Sequence, residues 1–246
     1  MYHNMVIKGK TMTQYSKVMV IGDMHIPYHH KDSMAFLRAL KKKYKGFDLV
    51  VNIGDELDQH AISMHDSDPD LPSAGDELKL AKTHVKELEK IFPDMTLVDS
   101  NHSSLVYRRA LKYGLPKAYL KHYNEFLGVG PAWKWVQDLT VTLNDGSRCF
   151  FTHGMSSNVL QIAQRYGMNT VQGHYHSKSS IQYYSNPDKL VWGAQTGCLT
   201  NQDSLAFSYS RLFKDRFIMS SLVIVDGQPR IHPMVIKDGK WIGKIV

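Results

Sequence analysis

The chain has 246 residues, 43% of them hydrophobic, which is enough to bury a core and excludes a mini-protein. Cys149 and Cys198 stand apart without a CxxC, which excludes a zinc ribbon and a disulfide scaffold and fits a cytoplasmic setting. The formal charge of +7 favours a polyanionic partner, though it also serves solubility, and thirteen histidines make metal ligation the sharper expectation.

In chain order, residues 1–15 are too polar for a signal peptide and read as a flexible N-terminal segment. The domain then runs from 16 to 246. "KVMVIGD" is a buried strand with a polar tip, "SMAFLRALKKKYKG" a helix with an apolar stripe and a glycine stop, and "FDLVVNIGD" a second strand of the same kind. "HDSDPDLPSAGD" is a polar loop, "ELKLAKTHVKELEKIF" a helix ending at Pro93, and "DMTLVDSN" a third strand. This alternation predicts a parallel sheet whose strand tips face one crevice. Residues 104–135 read as a helical or looped insertion rich in basic and aromatic side chains. From "VTLNDGSRCFFTHG" onward strands dominate, with Asn144-Asp145-Gly146 as a hairpin turn. No apolar run approaches the length of a bilayer span.

Apolar strands end abruptly in polar residues at Asp23/His25, Asp55/Asp58, Asn101/His102 and His153, and "GHYH" adds His174 and His176. Each has an ordinary reading, such as Asp58 capping the next helix. Ligands two residues apart at a strand end, however, can turn into one pocket. Oxygen and imidazole donors without thiolate suit Mn, Fe, Zn or Ni, and the set is too large for one ion. Two ions about 3.5–4 Å apart need a shared carboxylate, for which Asp55 after Gly54 is the best placed.

The ordered set Asp23-x-His25, Gly54-Asp55-x-x-Asp58, Asn101-His102, His153-Gly154 and Gly173-His174-x-His176 resembles the calcineurin-like metallophosphoesterases over residues 17 to 200. The resemblance implies a four-layer αββα sandwich of two mixed β-sheets flanked by helices. It implies Asp23, His25 and His176 on one metal, Asn101, His153 and His174 on the other, and Asp55 as the bridge. The ions would be Mn2+ first, with Fe, Zn, Ni or Mg as alternatives. His102 resembles the non-ligand histidine that meets the departing oxygen, with Asp58 as its orienting partner. Two positions depart from the pattern: Ser100 stands where glycine is usual, and Ser103 where an acid commonly follows the histidine.

Such a centre implies hydrolysis of a phosphoric ester by a metal-bridging hydroxide, with His102 as general acid. Tyr107, Arg108, Arg109 and Lys178 are candidate substrate contacts. Basic and aromatic residues after His102 can hold nucleic acid, or simply pack as an amphipathic helix. Gln59 after Asp58 replaces the arginine with which protein phosphatases clamp a monoester. A phosphodiesterase acting on nucleic acid or nucleotides is therefore the leading expectation. A nucleotidase or other phosphomonoesterase, a pyrophosphate hydrolase and a noncatalytic binding module remain open, as does a homodimer.

Overall fold

A computed structural model describes residues 13–63, 70–204, 206 and 216–246. The first half contains β1 (Gln14–Tyr15), β2 (Lys17–Ile21), α1 (Ser33–Tyr44), β3 (Leu49–Asn52), α2 (Ala74–Ile91), β4 (Met95–Val98), α3 (Leu105–Lys112), α4 (Tyr123–Leu127) and β5 (Trp133–Val136). The second contains β6 (Leu139–Leu143), β7 (Arg148–Thr152), α5 (Val159–Tyr166), β8 (Asn169–Gln172), β9 (Ser179–Ser185), β10 (Leu190–Thr196), β11 (Ser220–Val225) and β12 (Gln228–Pro233). A two-stranded ribbon, β13 (Ile236–Lys237) and β14 (Lys240–Trp241), follows.

Two six-stranded mixed sheets result, ordered β12-β11-β2-β3-β4-β5 and β1-β6-β7-β8-β10-β9. In the first, β2 through β5 are parallel, as the strand-helix alternation predicts. Strand side chains alternate between faces, and β2 is apolar on both. Val18 and Val20 join Val51, Phe151, Val171 and Trp192 in the core between the sheets. Met19 and Ile21 pack outward with Phe36, Leu37 and Leu40 of α1 and Val85 and Leu88 of α2. Each of these buried side chains contributes about 1.5–3 kcal/mol through water exclusion. On the far side, Gly193 of β10 has the Val159 backbone so close that a Cβ would lie 2.9 Å from it, which seats α5 directly on the second sheet. The layers are helix, sheet, sheet, helix.

Four sequence expectations need correction. Gln14 and Tyr15 pair in parallel with Thr142 and Leu143, so the N-terminal segment is docked at its end, while residues 1–12 lie outside the described residues. Helix α2 begins at Ala74, because Ser73 caps the Asp76 N–H and places Asp76 and Glu77 in the first turn. Residues 133–136 of the expected insertion are strand β5, the edge of the first sheet, whose register puts Trp133 and Trp135 opposite Met95 and Leu97. Helix α5 interrupts the expected run of strands. Its signals are local: Asn158 caps Gln161, Val159, Ile162 and Ala163 form the buried stripe, and Gly167 closes it at φ 61°.

Candidate metal centre

The carboxyl ends of β2, β3 and β4 meet those of β7 and β8 from the other sheet. Asp23, His25, Asp55, Asn101, His153, His174 and His176, expected as ligands from the sequence, converge there. Asp23 Oδ2 lies 3.2 Å from His176 Nε2, and His25 Nε2 lies 3.2 Å from the same nitrogen. His153 Nε2 lies 2.8 Å from Asn101 Oδ1 and 3.2 Å from His174 Nδ1. Between the two groups, Asp55 Oδ2 is 3.4 Å from His25 Nε2 and 3.2 Å from His153 Nε2.

The backbone is bent to achieve this. His25, Asp55 and His174 all have positive φ, 51°, 48° and 69°, a left-handed conformation that costs an L-residue roughly 1–2 kcal/mol. Gly54, at φ 105°, is required for space as well, since a Cβ there would lie 2.6 Å from His153 Nδ1 and 2.7 Å from Ser100 Cβ.

The donor chemistry fits divalent cations. His25 Nδ1 faces Asp58 Oδ1 at 2.6 Å, and His153 Nδ1 faces the Ile53 carbonyl at 3.0 Å. Each contact commits a ring proton to Nδ1 and leaves Nε2, aimed inward, as the position for a second proton or a cation. The inward set is then imidazole nitrogens and carboxylate oxygens, which need protons or cations between them. Among the described residues, Asp23 Oδ1, fully buried, has no hydrogen-bond partner.

The charges answer one another. Burial pushes the Asp55 carboxyl up, but His153, then His102 and His25, hold it well below the ordinary range. Burial likewise opposes the charged form of His153, yet Asp55 and Asp23 raise it to about 9. Burial and the neighbouring His102 keep His25 well below its ordinary value. For His102 burial is outweighed by Asp55, then Asp58, and the imidazole is raised. Burial raises Asp58 to about 6, against a pull from His102.

The Asp58 side chain differs from expectation. Its Oδ1 accepts from His25 and stands 3.7 Å from His102 Nδ1, whereas the Asp58 backbone carbonyl takes His102 Nδ1–H at 2.5 Å. It caps no helix either: the His60 and Ala61 N–H groups are taken by the Glu77 carboxylate. Asp58 thus orients a candidate ligand and helps raise His102 by charge.

The substrate candidates divide. Arg108 is exposed, donates to the Asn101 carbonyl, and lines a groove of about 380 Å³ with Asn101, His153 and His174. Tyr107 is 6% exposed, hydrogen-bonded to the Lys121 carbonyl and packed on Tyr123, so it belongs to the core. Arg109 spends its guanidinium on the carbonyls of Ile62 and Ser63. Lys178 turns to the Ser157 carbonyl and does not line the groove. Trp135 stacks on Tyr123 at 4.9 Å, and Trp133 is buried. Asp99, Gln137 and Thr152 line the groove and escaped the sequence reading, because none stands in a ligand pair. His60 is buried with Nδ1 3.8 Å from Asp58 Oδ2, and His65 lies outside the described residues.

A family model described as calcineurin-like phosphoesterase matches residues 16–196. Among solved structures, Vps29 from Chaetomium thermophilum is 14% identical, with 89% of this chain and 91% of that one covered and a TM-score of 0.46. Yfce, a phosphoesterase from E. coli, is 14% identical over 94% of this chain and 98% of its own, with a TM-score of 0.44. A metallophosphoesterase from Sphaerobacter thermophilus is 12% identical over 89% and 88%, with a TM-score of 0.41. No curated protein matches the chain. Among the described residues no helix is long and apolar enough to cross a membrane.

Proposed function

Because the chain belongs to the calcineurin-like phosphoesterase family, we propose that it is a phosphoric ester hydrolase dependent on two divalent ions, and a phosphodiesterase acting on nucleic acid or nucleotides. The observation that carries the dinuclear reading is Asp55 Oδ2, 3.4 Å from His25 Nε2 and 3.2 Å from His153 Nε2. One carboxylate would then serve both ions. Asp23, His25 and His176 would hold the first, and Asn101, His153 and His174 the second, with Mn2+ the leading candidate for both. When bound, two such ions neutralise phosphoryl oxygens and make water a usable nucleophile near neutral pH.

The protein's own residues supply the rest. His102, its Nδ1 committed to the Asp58 carbonyl, has Nε2 to deliver a proton to the leaving oxygen. Arg108 offers the groove's cation to a phosphate. The diester preference is supported by Gln59, whose amide is tied to the carbonyls of His102 and Ser103 and gives a monoester's extra charge no clamp. Nucleic acid is supported by Tyr113, next in the chain to the exposed Lys112, and by Tyr119, 73% and 78% exposed on the segment that leads away from Arg108.

The test is a parallel assay of the Mn2+-loaded protein on bis(p-nitrophenyl) phosphate, p-nitrophenyl phosphate, nucleotides and labelled single- and double-stranded DNA and RNA. Diester and oligonucleotide cleavage should exceed monoester hydrolysis. The reverse order would replace the reading with a phosphomonoesterase, and inertness on every substrate with a noncatalytic module.

A further inference from the structure

Ser100 and Ser103, the two departures from the family pattern, form a buried hydrogen-bond chain that the proposed chemistry does not use. Ser100 Oγ accepts the Asp55 N–H at 2.9 Å and the Ser103 N–H at 3.2 Å, and donates to Ser103 Oγ at 2.8 Å. Ser103 Oγ donates to Glu56 Oε2 at 2.5 Å, while Glu56 Oε1 accepts Trp135 Nε1–H at 3.0 Å. Ser103 and Glu56 are fully buried and Ser100 nearly so.

The direction of this chain is forced. A hydroxyl has one proton and two lone pairs. Both lone pairs of Ser100 are taken by backbone N–H groups, so its proton goes to Ser103. The proton of Ser103 then needs an acceptor beyond it. Indole N–H only donates, so residue 56 must accept on both oxygens, as a carboxylate does and an amide does not. The chain joins three parallel strand tips: Asp55 after β3, the turn carrying Asn101 and His102 after β4, and Trp135 on β5. A second tie, His102 N–H to Asp55 Oδ1 at 3.1 Å, spans the same gap.

We infer that Glu56 is a positioning residue: through Ser103 and Ser100 it holds the left-handed backbone of Asp55 against the Asn101–His102 turn, and so sets the spacing between the bridging carboxylate and the second metal's ligands. The inference rests on the metal-centre reading above. An acid at 103 is dispensable because Glu56 reaches the same turn from the β3 side.

The test compares the full chain with Glu56→Gln, Ser103→Ala and the double variant. In metal-free protein, amide hydrogen exchange at Asp55 and Ser103 should quicken about tenfold in each single variant relative to the core amide of Val51. The double variant should add nothing, because both changes cut one chain in series. Calorimetric titration with Mn2+ should show one ion bound about tenfold more weakly in all three. Unchanged exchange at both amides, additive effects, or equal quickening at Val51 would overturn the role. If wild type takes up no Mn2+, the metal-centre reading fails while the exchange still decides the relay. Ser103→Ala, a small change, carries the exchange test should Glu56→Gln not fold.

Discussion

Asp58 Oδ1 lies 2.6 Å from His25 Nδ1, and this contact decides which nitrogen of His25 faces the other candidate ligands. A carboxylate behind a metal-binding imidazole selects the tautomer and raises its basicity, an effect commonly worth about 10–100-fold in metal affinity. Asp58→Ala should therefore weaken Mn2+ binding by about that factor, whereas Asp58→Asn, whose carbonyl oxygen can still accept, should lose much less. Calorimetric titration distinguishes them, and equal affinities for Ala and wild type would remove the orienting role.

Asp55 stands between both ligand groups, so its loss should not be confined to one ion. Asp55→Ala should purify with neither ion tightly held, while His176→Ala should retain the ion near His153. Elemental analysis after dialysis reads the difference, and two retained ions in Asp55→Ala would contradict the bridge.

His102 is expected to act on the leaving group without holding metal. His102→Ala should keep both ions yet lose about 10²–10⁴-fold in turnover on a diester with an alcohol or nucleoside leaving group. With p-nitrophenolate, which departs without a proton, the loss should be far smaller. Full turnover on the poor leaving group would exclude the acid role.

Neighbouring arginines should separate function from stability. Arg108→Ala should raise KM about tenfold and leave the melting temperature in place, since the side chain is exposed beside the groove. Arg109→Ala removes the donor to the Ile62 and Ser63 carbonyls and should cost about 1–3 kcal/mol of stability. Paired kinetic and thermal measurements test both, and a kinetic defect confined to Arg109 would invert the assignment.

Away from the centre, burial and then the neighbouring His84, with ring centroids 4.6 Å apart, hold the His29 imidazole at about 4. Between pH 6.5 and 4 the unfolded chain binds this proton and the folded one does not, so stability falls as pH falls through that window. His29→Asn should lose less over the same range, by up to ~3 kcal/mol. Denaturant titrations at pH 7, 5.5 and 4 would show parallel losses if the group played no part.

Much of the architecture is written locally. The apolar runs around Val18–Ile21, Leu49–Asn52 and Met95–Val98 have no solvated face, so they read as buried parallel strands, and each ends where a pair of polar residues begins. Those pairs are legible because imidazoles and carboxylates are expensive to bury without a shared purpose. Helix α5 was equally local in its caps and stripe, and was hidden only by the strands on either side. The aromatic residues after His102 were ambiguous for a different reason: stacking on a base and packing in a core demand the same flat apolar surface.

The sequence by itself determined the types of the candidate ligands, their order and their attachment to strand ends, because periodicity and side-chain chemistry are properties of neighbours along the chain. The tertiary structure alone decided which groups face which. It gave the Asp58 carboxylate to His25 and its carbonyl to His102, turned Tyr107 and Arg109 inward, and left Arg108 at the groove. It also linked Ser103 to Glu56 across 47 positions of chain. A hydrogen bond depends on distances and directions between strands, and those exist only once the sheets have packed.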